Sequence, residues 1–500
     1  MRRQFAVLVA AFIVTLPLIT PRIYASDEIQ YFAYLRSLWF DRDVSFENEY
    51  QHFWDANIAR SQGFHETHLE RQTDTGKRIS FATIGAAILW SPFYGAADAL
   101  VATGLAGTGV RDGYGAPYVR AVAFGSAWYG WLAVVLGWAM AHRLGLGRGA
   151  LAAALAVWFG TPLIFYMYIA PPMAHACQAF AVAAFLSVWL WARERWTVGG
   201  GMALGALAAL MVMVREQDLL IVVTPAIDWL LAWWRAPRDA MGPPRRRLIA
   251  SAVAGGVSFA IGYAPQLLAY YSLHGAPRPS PLVTRKLSWL SPHGLEVLLS
   301  PEHGLFFWTP LALVALIGLA AGVTGHLGWA ARPTLRARRE GDSTAWIAAG
   351  LLLAVLSQIY IAGSVESWTV AGAFGQRRFV GLSAVLLVGL AALWPVADRR
   401  GASPARARAL VVAIFAIGAW WNLGLMAQFG GGLMDRQRLT LADNAYHTFV
   451  TVPTRLPELV YRYVFARSSF YQPRPAPTPP GVGTPVGSPV GSPVGTPPPP

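Results

Sequence analysis

Apolar residues in this chain come in long runs separated by short polar stretches, and the runs recur from the first residues to about position 430. They cover 4–25, 81–103, 117–141, 150–168, 172–192, 199–214, 218–234, 248–272, 304–324, 344–362, 378–396 and 409–428. A run of roughly 20 apolar residues is long enough to cross the hydrocarbon of a bilayer. Helix is the predicted state, because backbone polar groups in lipid must pair within their own segment. The strands of an outer-membrane barrel would alternate in hydrophobicity, and these runs do not. The pattern predicts an all-α polytopic membrane protein with about 11 to 13 transmembrane helices.

The polar stretches between the runs are of two kinds. Basic residues gather at 142–148, 193–196, 235–247, 326–339 and 398–408, as in loops that face the cytoplasm. The stretches 26–80, 273–303, 363–377 and 429–500 are less basic and are assigned to the outside. Arg2 and Arg3 precede the first run, which places the N-terminus inside and residue 26 onward outside. Ala25-Ser26 after the run 5–19 also resembles a signal-peptide cleavage site. An uncleaved first span is preferred, because so many further spans need an anchor. This assignment leaves a parity problem. The outer stretch 26–80 and the inner stretch 142–148 require an odd number of crossings, yet two runs, 81–103 and 117–141, lie between them. Either one run is re-entrant or one loop breaks the charge rule.

The expected organisation is a first transmembrane helix (1–25), a first periplasmic loop (26–80), a helical bundle (81–428), a small periplasmic segment of short helices (429–471) and a disordered Pro/Gly-rich tail (472–500). The tail repeats VG(S/T)P, a composition that builds no core.

Composition narrows the function classes. Hydrophobic residues make up 55% of the 500 and charged residues 13%, against about 25% charged in soluble domains. The net charge of +14 comes from short clusters between apolar spans, not from a basic face interleaved with aromatics, so it does not point to nucleic acid. The single cysteine, Cys177, permits no intrachain disulfide and no cysteine metal site. The chain has no GxxxxGK[ST], HExxH, paired CxxC or GxSxG motif, which leaves nucleotide-driven transport and zinc hydrolysis without support.

Candidate chemistry lies in the first outer loop, which begins SDEIQYFAYLRSLWFDRDVSFENEYQHFW at Ser26. Asp27 and Glu28 stand at the outer end of the first span. Behind them Ile29, Phe32, Ala33, Leu35, Leu38 and Trp39 recur at helical spacing, as in a helix lying flat in the interface. A carboxylate is thereby presented at headgroup level. A transferase that uses a lipid-phosphate-linked sugar needs a base for the acceptor proton and cations for the leaving phosphate. Asp27 or Glu28 supplies the first. Lys77, Arg78, Arg285, Lys286, Arg377 and Arg378, all at outer span ends or in outer loops, are the candidates for the second. Neighbouring helical residues point roughly 100° apart, so one acid faces the cavity, and Asp27 is the preferred one. The bland alternative is that both acids are simply solvated and the cations meet lipid phosphates.

The position and type of Asp27-Glu28 resemble the GT-C superfamily of membrane glycosyltransferases, in particular bacterial members of the family-39, protein-mannosyltransferase and aminoarabinose-transferase type. The stretches GAAILWSPFY (85–94), SPEHGLFFWTP (300–310) and WTVAGAFGQRRF (368–379) resemble bacterial relatives. The resemblance covers most of 1–430 and implies a GT-C-like bundle with interfacial helices in the first outer loop, and an acidic residue of the opening pair as catalytic base. It also implies a lysine contact to the donor before the second span. Lys77 has the position, although Arg78-Ile79-Ser80 departs from the family pattern. The resemblance further implies that the loop ending at His303 helps bind the lipid carrier, which makes His303 a further candidate.

Three more polar sites carry two readings. His175 is either a functional intramembrane group or a neutral histidine bonded to a carbonyl. Arg215-Glu216-Gln217-Asp218 is either a functional cluster or a tight outer turn with internal ion pairs. Glu49, with Glu47 and Asn48, offers oxygen ligands for a hard cation, but no metal is predicted and no cofactor is certain. The expected activity is inverting sugar transfer from a polyprenyl-phosphate donor to a lipid, polysaccharide or protein acceptor of the envelope. The expected setting is the bacterial inner membrane, with the N-terminus cytoplasmic and the tail periplasmic. The alternatives are a transporter or flippase for a lipid-linked glycan and a non-catalytic envelope scaffold.

Overall fold

The computed structural model describes residues 1–59, 61–107, 109–236, 245–324, 341–370, 372–399 and 403–470. The tail 472–500 and most of the basic stretches 235–247 and 326–339 lie outside the described residues.

The described chain is helical, and helices long and apolar enough to cross a bilayer recur along it. The helices used below are α1 (Arg2–Thr15), α2 (Ser26–Arg36), α3 (Glu47–Asp55), α4 (Gly85–Ala102), α5 (Ala116–Arg143), α6 (Ala150–Gly160), α7 (His175–Ala192) and α8 (Val198–Val214). They continue as α9 (Val223–Arg235), α10 (Arg245–His274), α11 (Pro310–Val323), α12 (Gly341–Ser364), α13 (Ser383–Arg399), α14 (Pro404–Gly431) and α15 (Val452–Phe465). The protein is an all-α polytopic membrane protein.

Cross-links at the helix ends sort the bundle into two ends. At one, Gln4 of α1 donates to the Gly147 carbonyl and accepts from Trp138 of α5. There too Arg143 pairs with Glu194, and Arg193 donates to Asp228 at 2.8 Å. This end carries the basic stretches 142–148 and 193–196. At the other end, the Thr20 amide donates to the Tyr168 carbonyl at 2.7 Å. Gln217 Nε2 donates to the Arg378 carbonyl there, at 3.0 Å.

The placement of α4 resolves the parity problem. Its start is held by Thr83, which donates to the Val214 carbonyl, and by Gln266, which accepts from the Ile84 amide. Its far part carries Asp98, which accepts from Trp39, Tyr118 and Arg111. Trp39 follows α2 and Tyr118 opens α5, so both ends of α4 stay at the end of the bundle where α2 lies. The apolar run 81–103 therefore does not cross; it packs along α2. Among the described residues the connections between the two ends are α1, α5, α6, α7, α8, α9, α10, α11, α12, α13 and α14, eleven in all.

The loop helix α2 also differs from the flat interfacial helix expected. Residues 28–35 are buried on every face. Phe32 packs edge-on to Phe53 of α3 and to Tyr94 of α4, so protein rather than headgroups covers it.

Two local features place the site. Helices α8 and α10 run parallel in close contact: a Cβ on Gly201 or Gly205 would overlap the carbonyl oxygens of Ser251 and Gly255. Small residues permit this approach, and it carries the C-terminal end of α8, with Arg215 after it, to the mouth of the bundle. Helix α6 stops at Gly160, and Asn422 of α14 donates to the exposed carbonyls of Phe159 and Thr161, both at 3.0 Å. Those are the acceptors a helix end leaves unsatisfied. The chain then turns through the helix Leu163–Tyr168 into α7.

Candidate functional site

The first turn of α2 holds both acids of the opening pair, in different roles. Glu28 reaches back to accept from the Tyr24 and Ala25 amides at 2.7 and 3.0 Å. That is one half of a capping box; Ala25 has no oxygen to supply the other. Burial pushes the Glu28 carboxyl up and the neighbouring Asp27 adds to the rise, while its backbone bonds hold it down; the result is about 7.

Asp27, one position earlier, turns elsewhere. Its Oδ2 accepts from Arg377 Nη1 at 2.8 Å. Protein encloses the carboxylate, yet 42% of its side-chain surface is accessible, so it stands on the wall of a recess. Enclosure raises its pKa, but the Arg377 guanidinium, helped by Arg215, outweighs that and holds the carboxyl below the usual range. Tyr31, Tyr166 and His175 share this neighbourhood of Asp27, Arg215 and Arg377.

The other expected cations are engaged differently. Arg378 is buried and donates to the carbonyls of Ala362 and Ser367, which fastens the segment before α13 rather than offering a charge. Lys77 Nζ donates to Ser272 Oγ at 2.6 Å, tying the first loop to the end of α10. Arg78 pairs with Glu47 at 2.6 Å and so joins the loop to α3. Arg285 and Lys286 are exposed in the stretch 275–304, and none of these four is among the charges that act most strongly on Asp27.

The remaining candidates also receive places. His303 donates to the Ala373 carbonyl at 2.8 Å and stacks on Trp308, which positions the segment leading to Arg377. Glu49 pairs with Arg36 at 3.0 Å; burial raises its carboxyl to about 7, and Arg36 opposes the rise. Among the described residues no three His, Cys, Asp or Glu side chains converge on one point. His175 is buried, with Nδ1 at 3.4 Å from Gln178 Oε1 and no protein partner for Nε2.

The residue not counted among the phosphate-binding candidates in the sequence is Arg215. Among the described residues its turn shows no internal ion pair: Glu216 accepts from Tyr270 at 2.6 Å and Asp218 from Gln178 at 2.9 Å. Among the described residues no acceptor pairs with the Arg215 guanidinium. A signal was present, since Arg215 directly follows the apolar run 199–214 at its outer end, and outer span ends were where the candidate cations were sought.

A second space opens on the Glu28 side. It is a mostly apolar cavity of about 620 Å³ between the end of α1, the segment 164–173, α14 and α15. Asp27 and Arg377 are not in its lining, so the two acids face separate spaces.

No family model matches the chain, and no curated protein matches it. Among solved structures it is similar to ArnT from Cupriavidus metallidurans bound to undecaprenyl phosphate, with a TM-score of 0.46 and 15% identity over 93% of this chain and 77% of that one. It is also similar to the same protein in the apo state, with a TM-score of 0.44 and 13% identity over 93% and 78%.

Proposed function

We propose that the chain is a glycosyltransferase that moves a sugar from a polyprenyl-phosphate donor to an envelope acceptor. The observation that carries this reading is the recess where the Asp27 carboxylate, kept ionised by Arg377, lies near an Arg215 guanidinium that has no acceptor among the described residues. A base and a spare cation in one enclosed recess suit displacement at an anomeric carbon. Asp27 takes the proton of the acceptor hydroxyl. The acceptor oxygen bonds to the sugar's anomeric carbon as the bond from that carbon to the phosphate oxygen breaks. The electron pair leaves on polyprenyl phosphate, which Arg215 and Arg377 stabilise. One direct displacement inverts the carbon. Because the basic clusters mark the opposite end as cytoplasmic, this recess faces the outside, the periplasm of a bacterial inner membrane, with the N-terminus within.

The test is mass spectrometry of envelope glycolipids and glycans from a deletion strain complemented with native protein or Asp27→Asn. A modification restored by the native protein and absent with Asp27→Asn, at equal protein levels, supports the reading. Equal restoration by both would favour a flippase or scaffold.

A further inference from the structure

We propose that His175 reads the transferred sugar: its Nε2 accepts a hydrogen bond from one hydroxyl of the donor's sugar, held in the recess near Arg215 and Arg377. The inference rests on the glycosyltransferase reading and adds to it a residue that decides which sugar is taken.

The hydrogen-bond pattern fixes what His175 offers. It opens α7 and is 1% exposed. Its Nδ1 lies 3.4 Å from Gln178 Oε1, and Gln178 Nε2 donates to Asp218 Oδ1 at 2.9 Å. The amide nitrogen is spent on the carboxylate, so the amide oxygen faces the ring. That oxygen only accepts, so Nδ1 carries the proton, and in the neutral ring Nε2 is then an acceptor. Among the described residues nothing donates to it. Asp218 Oδ2, at the other end of the same three-residue chain, is likewise buried without a donor. Buried polar atoms are otherwise almost always paired. Two bare acceptors on one fixed chain suit a ligand that brings hydroxyl donors. They do not suit a phosphate, whose oxygens are acceptors themselves.

The surroundings put this nitrogen at the recess. The Tyr166 ring packs edge-on to that of His175, with centroids 4.5 Å apart. The Tyr166 hydroxyl donates to the Phe374 carbonyl at 3.1 Å, just before Arg377. Arg377 and Asp27 both act on Tyr166, and Arg215 and Arg377 are the charges that act most strongly on His175. Nε2 diverges from Nδ1 around the ring, away from Gln178. In the proposed reaction Asp27 meets the acceptor hydroxyl, and the two guanidinium groups meet the phosphate. The sugar between them is the part of the donor left for His175. A site built to hydrogen-bond a hydroxyl rejects the analogue that lacks it.

The test uses the full-length protein in nanodiscs and displacement of radiolabelled undecaprenyl phosphate. The competitors are undecaprenyl phosphate itself and undecaprenyl phosphate bearing glucose, galactose, mannose or xylose, each also in its monodeoxy forms. The native protein should bind one sugar-bearing lipid more tightly than undecaprenyl phosphate. Removal of one hydroxyl from that sugar should weaken it about tenfold. His175→Leu should bind that lipid and its deoxy form alike, while holding undecaprenyl phosphate as the native protein does. His175→Phe repeats this with a ring kept against Tyr166, should the leucine variant fail to fold. Arg215→Gln should weaken every competitor, so phosphate contacts are read apart from sugar contacts. A His175 variant that still discriminates against the same deoxy sugar would overturn the proposal. Uniform weakening of all competitors by both variants would overturn it too, by assigning the histidine to the fold, as would a native protein indifferent to every hydroxyl. Failure of the native protein to bind undecaprenyl phosphate at all would instead overturn the glycosyltransferase reading on which the proposal stands.

Discussion

Replacing Arg377 by glutamine isolates what the ion pair does for Asp27. Exposed pairs are worth about 0–1 kcal/mol, and breaking a fully buried one costs about 3–5 kcal/mol. With 22% of the Arg377 side chain and 42% of the Asp27 side chain accessible, this pair falls between, at about 2 kcal/mol after allowance for solvent screening. Loss of the arginine should therefore raise the Asp27 pKa. The sign follows from the direction of the native shift. The Asp27 pKa is lowered, so the ionised base is present above the ordinary carboxylate range and is lost only as pH falls through the lowered value. Without Arg377 that loss begins at higher pH. The assay is the pH profile of kcat/KM for sugar transfer in nanodiscs, whose acid limb reports the base. The acid limb of Arg377→Gln should move alkaline, and Arg377→Lys should move it less. The position of the limb is the readout, because loss of a phosphate contact lowers the plateau as well. An acid limb unchanged in Arg377→Gln would refute the assignment of Asp27 as a base held ionised by this arginine.

Four further outcomes are expected. Arg215→Gln should lower kcat by about 10²-fold, as removal of one charge-stabilising donor does, with protein yield unchanged; full activity would remove Arg215 from the site. Because the Glu28 carboxyl is raised from 4.5 to about 7, its ionisation destabilises the fold as pH rises through that window; thermal unfolding of Glu28→Gln should lack the decline between pH 4.5 and 7 that the native protein shows. Gly85→Ala should cost about 1–3 kcal/mol by overpacking, since its Cβ would overlap the backbone of Met213 and Val214, and should cut activity by displacing Arg215; unaltered unfolding would contradict the packing. Leu105→Cys should react with a membrane-impermeant maleimide from the same side as Glu66→Cys, because α4 does not cross; reaction from opposite sides would reinstate the crossing.

Much of this was legible in the sequence because the bilayer imposes its own period. Run lengths gave the helices. The opening acids were legible because their position, straight after the first span, needs no tertiary information. What the pattern could not yield depends on contacts between distant residues. The run 81–103 has the length and apolarity of a span; only the ties of its end to Trp39 and Tyr118 keep it on one side. Glu28 and Asp27 are adjacent in sequence and chemically alike, yet one caps a helix and the other meets Arg377, 350 positions away. Arg377 and Arg378 separate in the same way, the first on a carboxylate and the second on carbonyls. Arg215 was hidden by neighbours that looked like its partners. Glu216 turned to Tyr270 and Asp218 to Gln178, which left the arginine to the recess.

The most direct measurement is an electron cryo-microscopy structure of the protein in nanodiscs with undecaprenyl phosphate. The account predicts the phosphate between the guanidinium groups of Arg215 and Arg377, in the recess of the Asp27 carboxylate. Phosphate density at Lys77, Arg78 or Arg285 instead, with the Asp27 recess filled only by water, would contradict it.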